Sequence, residues 1–282
     1  MNRCVIIIVL LSFAVSALAR TATCKTKHPP CPPKSCKKNS QTDPNKCPAK
    51  KQTTEVNEIN DILSRLNESA ARLKSYQAEI RYLFIQDPEL LDSQTLRKGR
   101  LFYKKDRAGS KLRVNFDTMK QDDADEEKYV EDFIFDGVWL TKIDFQLEKV
   151  DFYQQAEEEK PIDVFEFISH RFPMLGFTKT QHLDKQFEIT LIIQKQPNSS
   201  NLIGLHLKIK KDSTYKDDYK TINVWIDNET FLPAKLLAAS TQGDIFDIQL
   251  LDAEVNKNLK NAVFKLETPQ HFSKNRTPLK KN

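Results

Sequence analysis

Apolar and polar residues alternate along most of this chain, and the alternation predicts strands. Strand-like segments span 76–85, 95–104, 111–116, 128–135, 138–145, 148–154, 187–194, 202–210, 220–227, 233–240, 244–252 and 262–267, and most of them alternate. Tyr76, Ala78, Ile80, Tyr82 and Phe84 share one face, as do Leu112, Val114 and Phe116, and Ile203, Leu205, Leu207 and Ile209. Turn signals separate the runs at Gly109, Gly137, residues 198–200, Asn228 and Gln242-Gly243. Asp136-Gly137 predicts a tight hairpin, with Phe133, Phe135, Trp139, Ile143 and Phe145 all on one face. Two segments change period. From Thr53, Val56, Ile59, Ile62, Leu63, Leu66, Ala70 and Leu73 recur every three or four residues and predict an amphipathic helix. From Pro161, Ile162, Phe165 and Ile168 predict a second, shorter one.

Two helices and a dozen antiparallel strands define an α+β protein without βαβ units. An antiparallel sheet needs one dry face, yet a flat sheet this wide presents more apolar surface than two short helices cover. The sheet is therefore expected to curl, with the helices plugging its concave side. Its interior is then either packed solid or left to receive an apolar guest.

Composition divides the chain. Residues 1–19 combine Arg3, an apolar run from Val5 to Val15 and the small residues Ser16-Ala17-Leu18-Ala19. This is the pattern of a secretory signal peptide cut after Ala19, and it predicts an exported, periplasmic, soluble protein. Residues 20–54 form a basic Cys/Pro-rich extension and linker. Up to Gln52 it holds six prolines and four cysteines, and its lysines and arginine outnumber one Asp by 9 to 1. The chain's net charge of +5 thus resides in that extension, leaving about −4 on residues 53–282. A nucleic-acid partner is disfavoured, since that needs a basic patch on the folded body. Residues 55–269 form the body and 270–282 a basic C-terminal tail.

Catalytic chemistry finds no support. The chain has no G-x-S-x-G elbow, no H-E-x-x-H, no Gly-rich phosphate loop and no dinucleotide fingerprint. No cofactor and no metal is expected, because His28, His170, His182, His206 and His271 lack ligand spacing.

An ordered set of segments resembles the periplasmic outer-membrane lipoprotein carrier (LolA-type) family. It runs from ILSRLNESAARLKSYQAEI through GRLFYKK, FDGVWL, KPIDVFEFI, VWIDNETFLPAKL and QGDIFDIQL to NLKNAVFKLETP. The resemblance implies an unclosed barrel of about eleven antiparallel strands, lidded by helices, whose hollow takes acyl chains. It also suggests that one of the twelve strands, at 148–154, is surplus. Leu101, Tyr103, Leu112 and Val114 fall where the family's strands face the hollow, with Phe116 and Trp139 beside them. Ile162, Phe165 and Ile168 fall on the lid helix, and Lys105 stands where the family often has a lid-closing Arg. The implied function is a monomeric carrier, and so a chaperone, for acyl chains of lipoproteins or other lipid. Its implied partners are an inner-membrane release complex and an outer-membrane acceptor. The other function class is a non-transporting lipid-sensing or partner-binding module on the same scaffold. Three departures stand out: Lys105 itself, the acidic loop KQDDADEEK at 120–128, and the extension.

The extension lacks the apolar area to fold by burial, so order there requires cross-links. Cys24, Cys31, Cys36 and Cys47 are separated by 6, 4 and 10 residues and predict two disulfides of open connectivity. Oxidised, secreted protein should take up no alkylating reagent until it is reduced. An intact mass showing four free thiols would end that reading.

Overall fold

The computed structural model describes residues 49–91, 93–107, 109–169, 183–192, 201–265 and 267–279. The chain divides into two compact units, Met1–Lys50 and Lys51–Asn282. Cys24, Cys31, Cys36, Cys47 and the expected signal peptide lie outside the described residues. Helix α1 (Ala49–Arg72) is followed by strands β1 (Ser75–Ile85), β2 (Gln94–Asp106), β3 (Gly109–Gln121), β4 (Glu127–Phe135), β5 (Trp139–Asp144) and β6 (Lys149–Gln154). Then come two short helices, α2 (Val164–Ser169) and α3 (Leu183–Gln186). The remaining strands are β7 (Phe187–Leu191), β8 (Leu202–Ile209), β9 (Tyr219–Asp227), β10 (Pro233–Ser240), β11 (Ile245–Val255) and β12 (Ser273–Thr277). Among the described residues no helix is long and apolar enough to cross a membrane.

All twelve strands join one curved, unclosed sheet in the order β12-β6-β5-β4-β3-β2-β1-β11-β10-β9-β8-β7. Each pair is antiparallel except β12 on β6. Residues 148–154 are a genuine strand, so the surplus lies elsewhere. The expected strand at 262–267 is instead a 3-10 turn, Asn261–Phe264, whose Val263 carbonyl accepts Arg113 Nη1 at 2.8 Å. The parallel strand β12, within the expected tail, reads SKNRT. Besides its backbone ladder, Asn275 Nδ2 donates to Asp151 Oδ1 at 3.2 Å and Arg276 lies 5.0 Å over the Phe152 ring, but the strand carries no apolar alternation for a sequence reading to detect.

Cross-strand partners share a face, and the register carries one apolar face across the sheet. From Leu205 it passes to Val224, Leu236, Ile248 and Tyr82. From Ala78 the same face continues through Leu101, Val114 and Phe133. This concave face is closed over β8–β10, where Leu205, Leu207, Ile222, Val224, Ile226 and Leu236 are fully buried. The helix α1 buries Ile59, Ile62, Leu66, Ala70 and Leu73 at helical period, while Val56 is 55% exposed. Contacts near both of its ends run along the β7–β10 side: Glu55 Oε1 accepts Leu191 N at 3.3 Å and Arg65 lies 3.7 Å over the Phe231 ring. Asn256 stops the helix, its amide donating to Arg72 O while its side-chain oxygen accepts Lys74 N.

The β4–β5 hairpin departs from expectation. Asp136 Oδ1 accepts Val138 N at 3.0 Å and Trp139 N at 2.8 Å, which widens the turn to residues 136–139. Gly137 holds φ at +103°, and a Cβ there would press on Pro161 and the Ile162 carbonyl. Phe135 pairs with Leu140, so Leu140 inherits the concave face. Trp139, Ile143 and Phe145 therefore lie on the convex face, which corrects the expected single face. There Ile143, Val150 and Phe272 form a second small core with Phe145 and Phe152. Phe272→Ala should cost about 3 kcal/mol in denaturant unfolding; a loss below about 1 kcal/mol would mean that the C-terminal segment does not seal this face.

Candidate functional site

The concave face over β1–β4 is less completely covered than that over β8–β10. Tyr103, Leu112, Phe116, Phe133 and Phe135 are buried, but Leu101 and Val114, paired at its centre, are only half-buried. Beside them sits Gly99 at a β-bulge, where a Cβ would fall 1.9 Å from the Asn115 carbonyl oxygen. The bulge demands glycine, and glycine leaves the middle of the face without a side chain. The middle of this face is therefore covered less than its aromatic flanks, and this part of the face is the candidate hollow.

Helix α2 lies over one end of this hollow. Phe165 stands 4.7 Å from the Tyr103 ring and Phe167 stacks at 4.1 Å on Phe135. Of the three residues expected on the lid, Phe165 is buried, whereas Ile162 and Ile168 are half-buried; Val164 and Phe167 go deeper. The helix is too short for period alone to place its buried side. Its anchor is Asp163, the N-cap, whose Oδ1 accepts Phe165 N at 2.8 Å and whose Oδ2 accepts Ser110 Oγ at 2.9 Å. Ser110 Oγ in turn accepts Val164 N at 2.9 Å. Lys105 Nζ lies 3.8 Å from Asp163 Oδ2, with both side chains substantially exposed to water. Asp163-x-x-Glu166 is a helix-start signal available in the sequence; Ser110 carries no such signal, because only the fold brings it to Asp163.

The other end of the face is polar. Glu131, fully buried, receives Arg97 Nη1 at 3.1 Å and Lys142 Nζ at 3.0 Å. The next pair on this face is Glu131 opposite Asp144, whose Oδ2 accepts Tyr129 Oη at 3.2 Å. Burial, and then the Asp144 charge, push the Tyr129 phenol up to about 12. Burial also pushes the Tyr82 and Tyr103 phenols far above their ordinary range. These hydroxyls are therefore neutral at neutral pH. The sequence shows these charges only as scattered, because their partners are strand neighbours that register alone identifies.

Of the residues expected to face the hollow, the sheet brings Leu101, Tyr103, Leu112, Val114 and Phe116 onto one face and sends Trp139 to the other, where it meets Arg276 at 5.6 Å. The acidic loop is a tied turn. Asp122 accepts Gln94 N at 2.7 Å, which with the Gln121 and Ser93 side chains holds its carboxyl below the usual range, and Glu126 pairs with Lys98 and Thr118. His206 pairs with Asn223 at 2.7 Å on the face opposite Leu205 and Leu207. Among the described residues no group of His, Cys, Asp and Glu is placed to hold a metal ion.

No protein-family model matches the chain, and no curated protein matches its sequence. Solved structures of similar fold include an uncharacterized conserved protein from Thermus thermophilus, at 12% identity and TM-score 0.46, covering 78% of this chain and 99% of that one. A second is the Mycobacterium tuberculosis lipoprotein LppX, at 11% identity and TM-score 0.42, covering 71% and 98%. A LolA superfamily protein from Nitrosomonas europaea matches at 13% identity and TM-score 0.32, covering 73% and 97%. At such scores none of these likenesses bears on what the chain binds.

The geometry ranks the contacts that hold α2. Asp163→Ala removes a cap and the Ser110 acceptor, and should cost about 1–2 kcal/mol, so amide exchange across 164–168 should speed roughly tenfold. Lys105→Ala, which removes a solvent-screened pair, should change it by less than about twofold. Equal effects from the two variants would show that the lysine holds the helix as firmly as the cap does.

Proposed function

We propose that this chain is an exported carrier that binds acyl chains of lipoproteins, or of another lipid, in the hollow over β1–β4 and moves them through the periplasm. One observation carries the reading: Leu101 and Val114, central on the concave face, are half-buried where their counterparts over β8–β10 are fully buried. A sheet that closes half its interior tightly and leaves the other half underfilled has room for a guest. The sequence's resemblance to the lipoprotein carriers points the same way, and Leu101, Tyr103, Leu112, Val114 and Phe116 are the wall that it implies.

Each CH₂ withdrawn from water is worth ~0.8 kcal/mol, so exposing one long acyl chain costs on the order of 10 kcal/mol. A carrier must offset most of that cost and still release its cargo. An apolar wall with empty space supplies the first requirement. A lid of six residues, held by one capping carboxylate and two aromatic contacts, opens at low cost and supplies the second.

Fluorescent fatty acid should bind the protein without the extension as well as with it. Val114→Glu, which sets a carboxylate on the wall, should weaken binding about tenfold or more with circular dichroism unchanged. Wild-type protein that binds no acyl probe overturns the proposal. Native mass spectra of protein taken from its own cell envelope separate carriage from sensing: co-purified lipoprotein supports transport, and free lipid alone favours a sensor.

A further inference from the structure

Tyr82 and Arg97 are register partners on the concave face, directly opposite one another on β1 and β2. Both side chains are more than nine-tenths buried. The Phe116 ring is common to them, 6.2 Å from the Tyr82 ring and 6.0 Å from the Arg97 guanidinium carbon. Arg97 Nη1 is engaged by Glu131 at 3.1 Å, which fixes the guanidinium plane. Its Nε, however, has no hydrogen-bond partner, and neither has the Tyr82 hydroxyl. Two buried donors without acceptors are an unfavourable arrangement unless something satisfies them.

We propose that Tyr82 Oη and Arg97 Nε are the polar terminus of the hollow and together donate hydrogen bonds to the carbonyl or carboxylate oxygen of an acyl guest, whose chain lies along Gly99, Leu101 and Val114. The inference rests on the acyl-binding reading and names the chemical class that the site selects: a fatty acid or its ester, in preference to a plain hydrocarbon. The donor set fits that class. Guanidinium and phenol N–H and O–H groups offer two donors, and a carbonyl oxygen offers two lone pairs. Glu131 is paired in charge with Arg97 and Lys142, so it does not repel the guest as a free charge would, although its two oxygens are themselves buried without a hydrogen-bond partner. The lid residues Ser110 and Asp163 lie at the other end of the same strands, since Lys105 pairs with Ser110 whereas Arg97 pairs with Met119. Among the described residues the α2 end holds one buried unpartnered group, the Tyr103 hydroxyl, against two donors at this end, so the guest's polar end lies beside Arg97 and its chain runs toward α2.

Displacement of Nile red from the mature protein by palmitate, methyl palmitate and hexadecane tests the site. Wild type should take palmitate and its methyl ester about tenfold better than hexadecane. Tyr82→Phe removes one oxygen and keeps the ring, so it should lower palmitate and ester binding several-fold and leave hexadecane unchanged. Arg97→Lys, which retains a cation for Glu131 but not the Nε donor, should do the same. Equal affinity of wild type for all three ligands overturns the polar terminus and leaves the carrier reading standing. So does a Tyr82→Phe variant that keeps the full preference, or one that loses hexadecane equally and thereby reveals a packing role. If Nile red and all three ligands fail to bind wild type, the carrier reading falls and the polar terminus falls with it.

Discussion

Residues opposite one another across a pair of strands must lie on the same face, and in this protein that rule is applied from β7 across to β6. Every other feature follows from it. A single concave face accumulates residues from all of those strands, and no helix of the described body is long enough to cover it all. The face therefore divides. Over β8–β10 the residues are sealed, with α1 on that side of the sheet. Over β1–β4, among the described residues, only the short α2 lies above the strands, and the centre is left half-covered around Gly99.

The division matters energetically because tight packing and low-cost opening are opposed. A well-packed interior gains dispersion and burial at every contact but resists entry of a guest. An underfilled hollow forgoes part of that gain, and the closed half of the sheet has to compensate. The second small core on the convex side, where Phe272 seals Ile143 and Val150, lies behind β5 and β6, next to the less covered half of the sheet.

Electrostatics then gives the hollow two unlike ends. At the α2 end Ser110, Asp163 and the helix amides complete one another's hydrogen bonds, and among the described residues there the Tyr103 hydroxyl alone is left without a partner. At the far end Glu131 is neutralised by two cations, yet Arg97 Nε and the Tyr82 hydroxyl are buried without a hydrogen-bond partner. An unsatisfied donor in an apolar setting is costly, whereas a satisfied one confers direction and selectivity. A purely apolar hollow would hold a chain in either sense.

Strand-like segments, most of them alternating, were legible at eleven of the observed strands, and the i, i+3, i+4 recurrence from Ile59 to Leu73 marked α1, because burial of one face writes directly into residue order. The excess of apolar face over helix, and hence a curled sheet, was legible as well, and so were Leu101, Tyr103, Leu112, Val114 and Phe116 as one wall. What residue order left undecided depends on partners distant in sequence. The face of Trp139 was set by the register of Phe135 on Leu140, after Asp136 had widened the turn. Strand β12 is all polar, and the side-chain contacts of Asn275 and Arg276 are to residues more than a hundred positions away, so it has no local signature. Glu131, Arg97 and Lys142 are ordinary surface-type charges in the sequence and become a buried cluster only because three neighbouring strands set them side by side. Ser110 matters only because α2 begins beside it. Local periodicity is a property of each segment alone and can be read there; register, capping across the chain and charge pairing are relations between segments, and tertiary structure alone decides them.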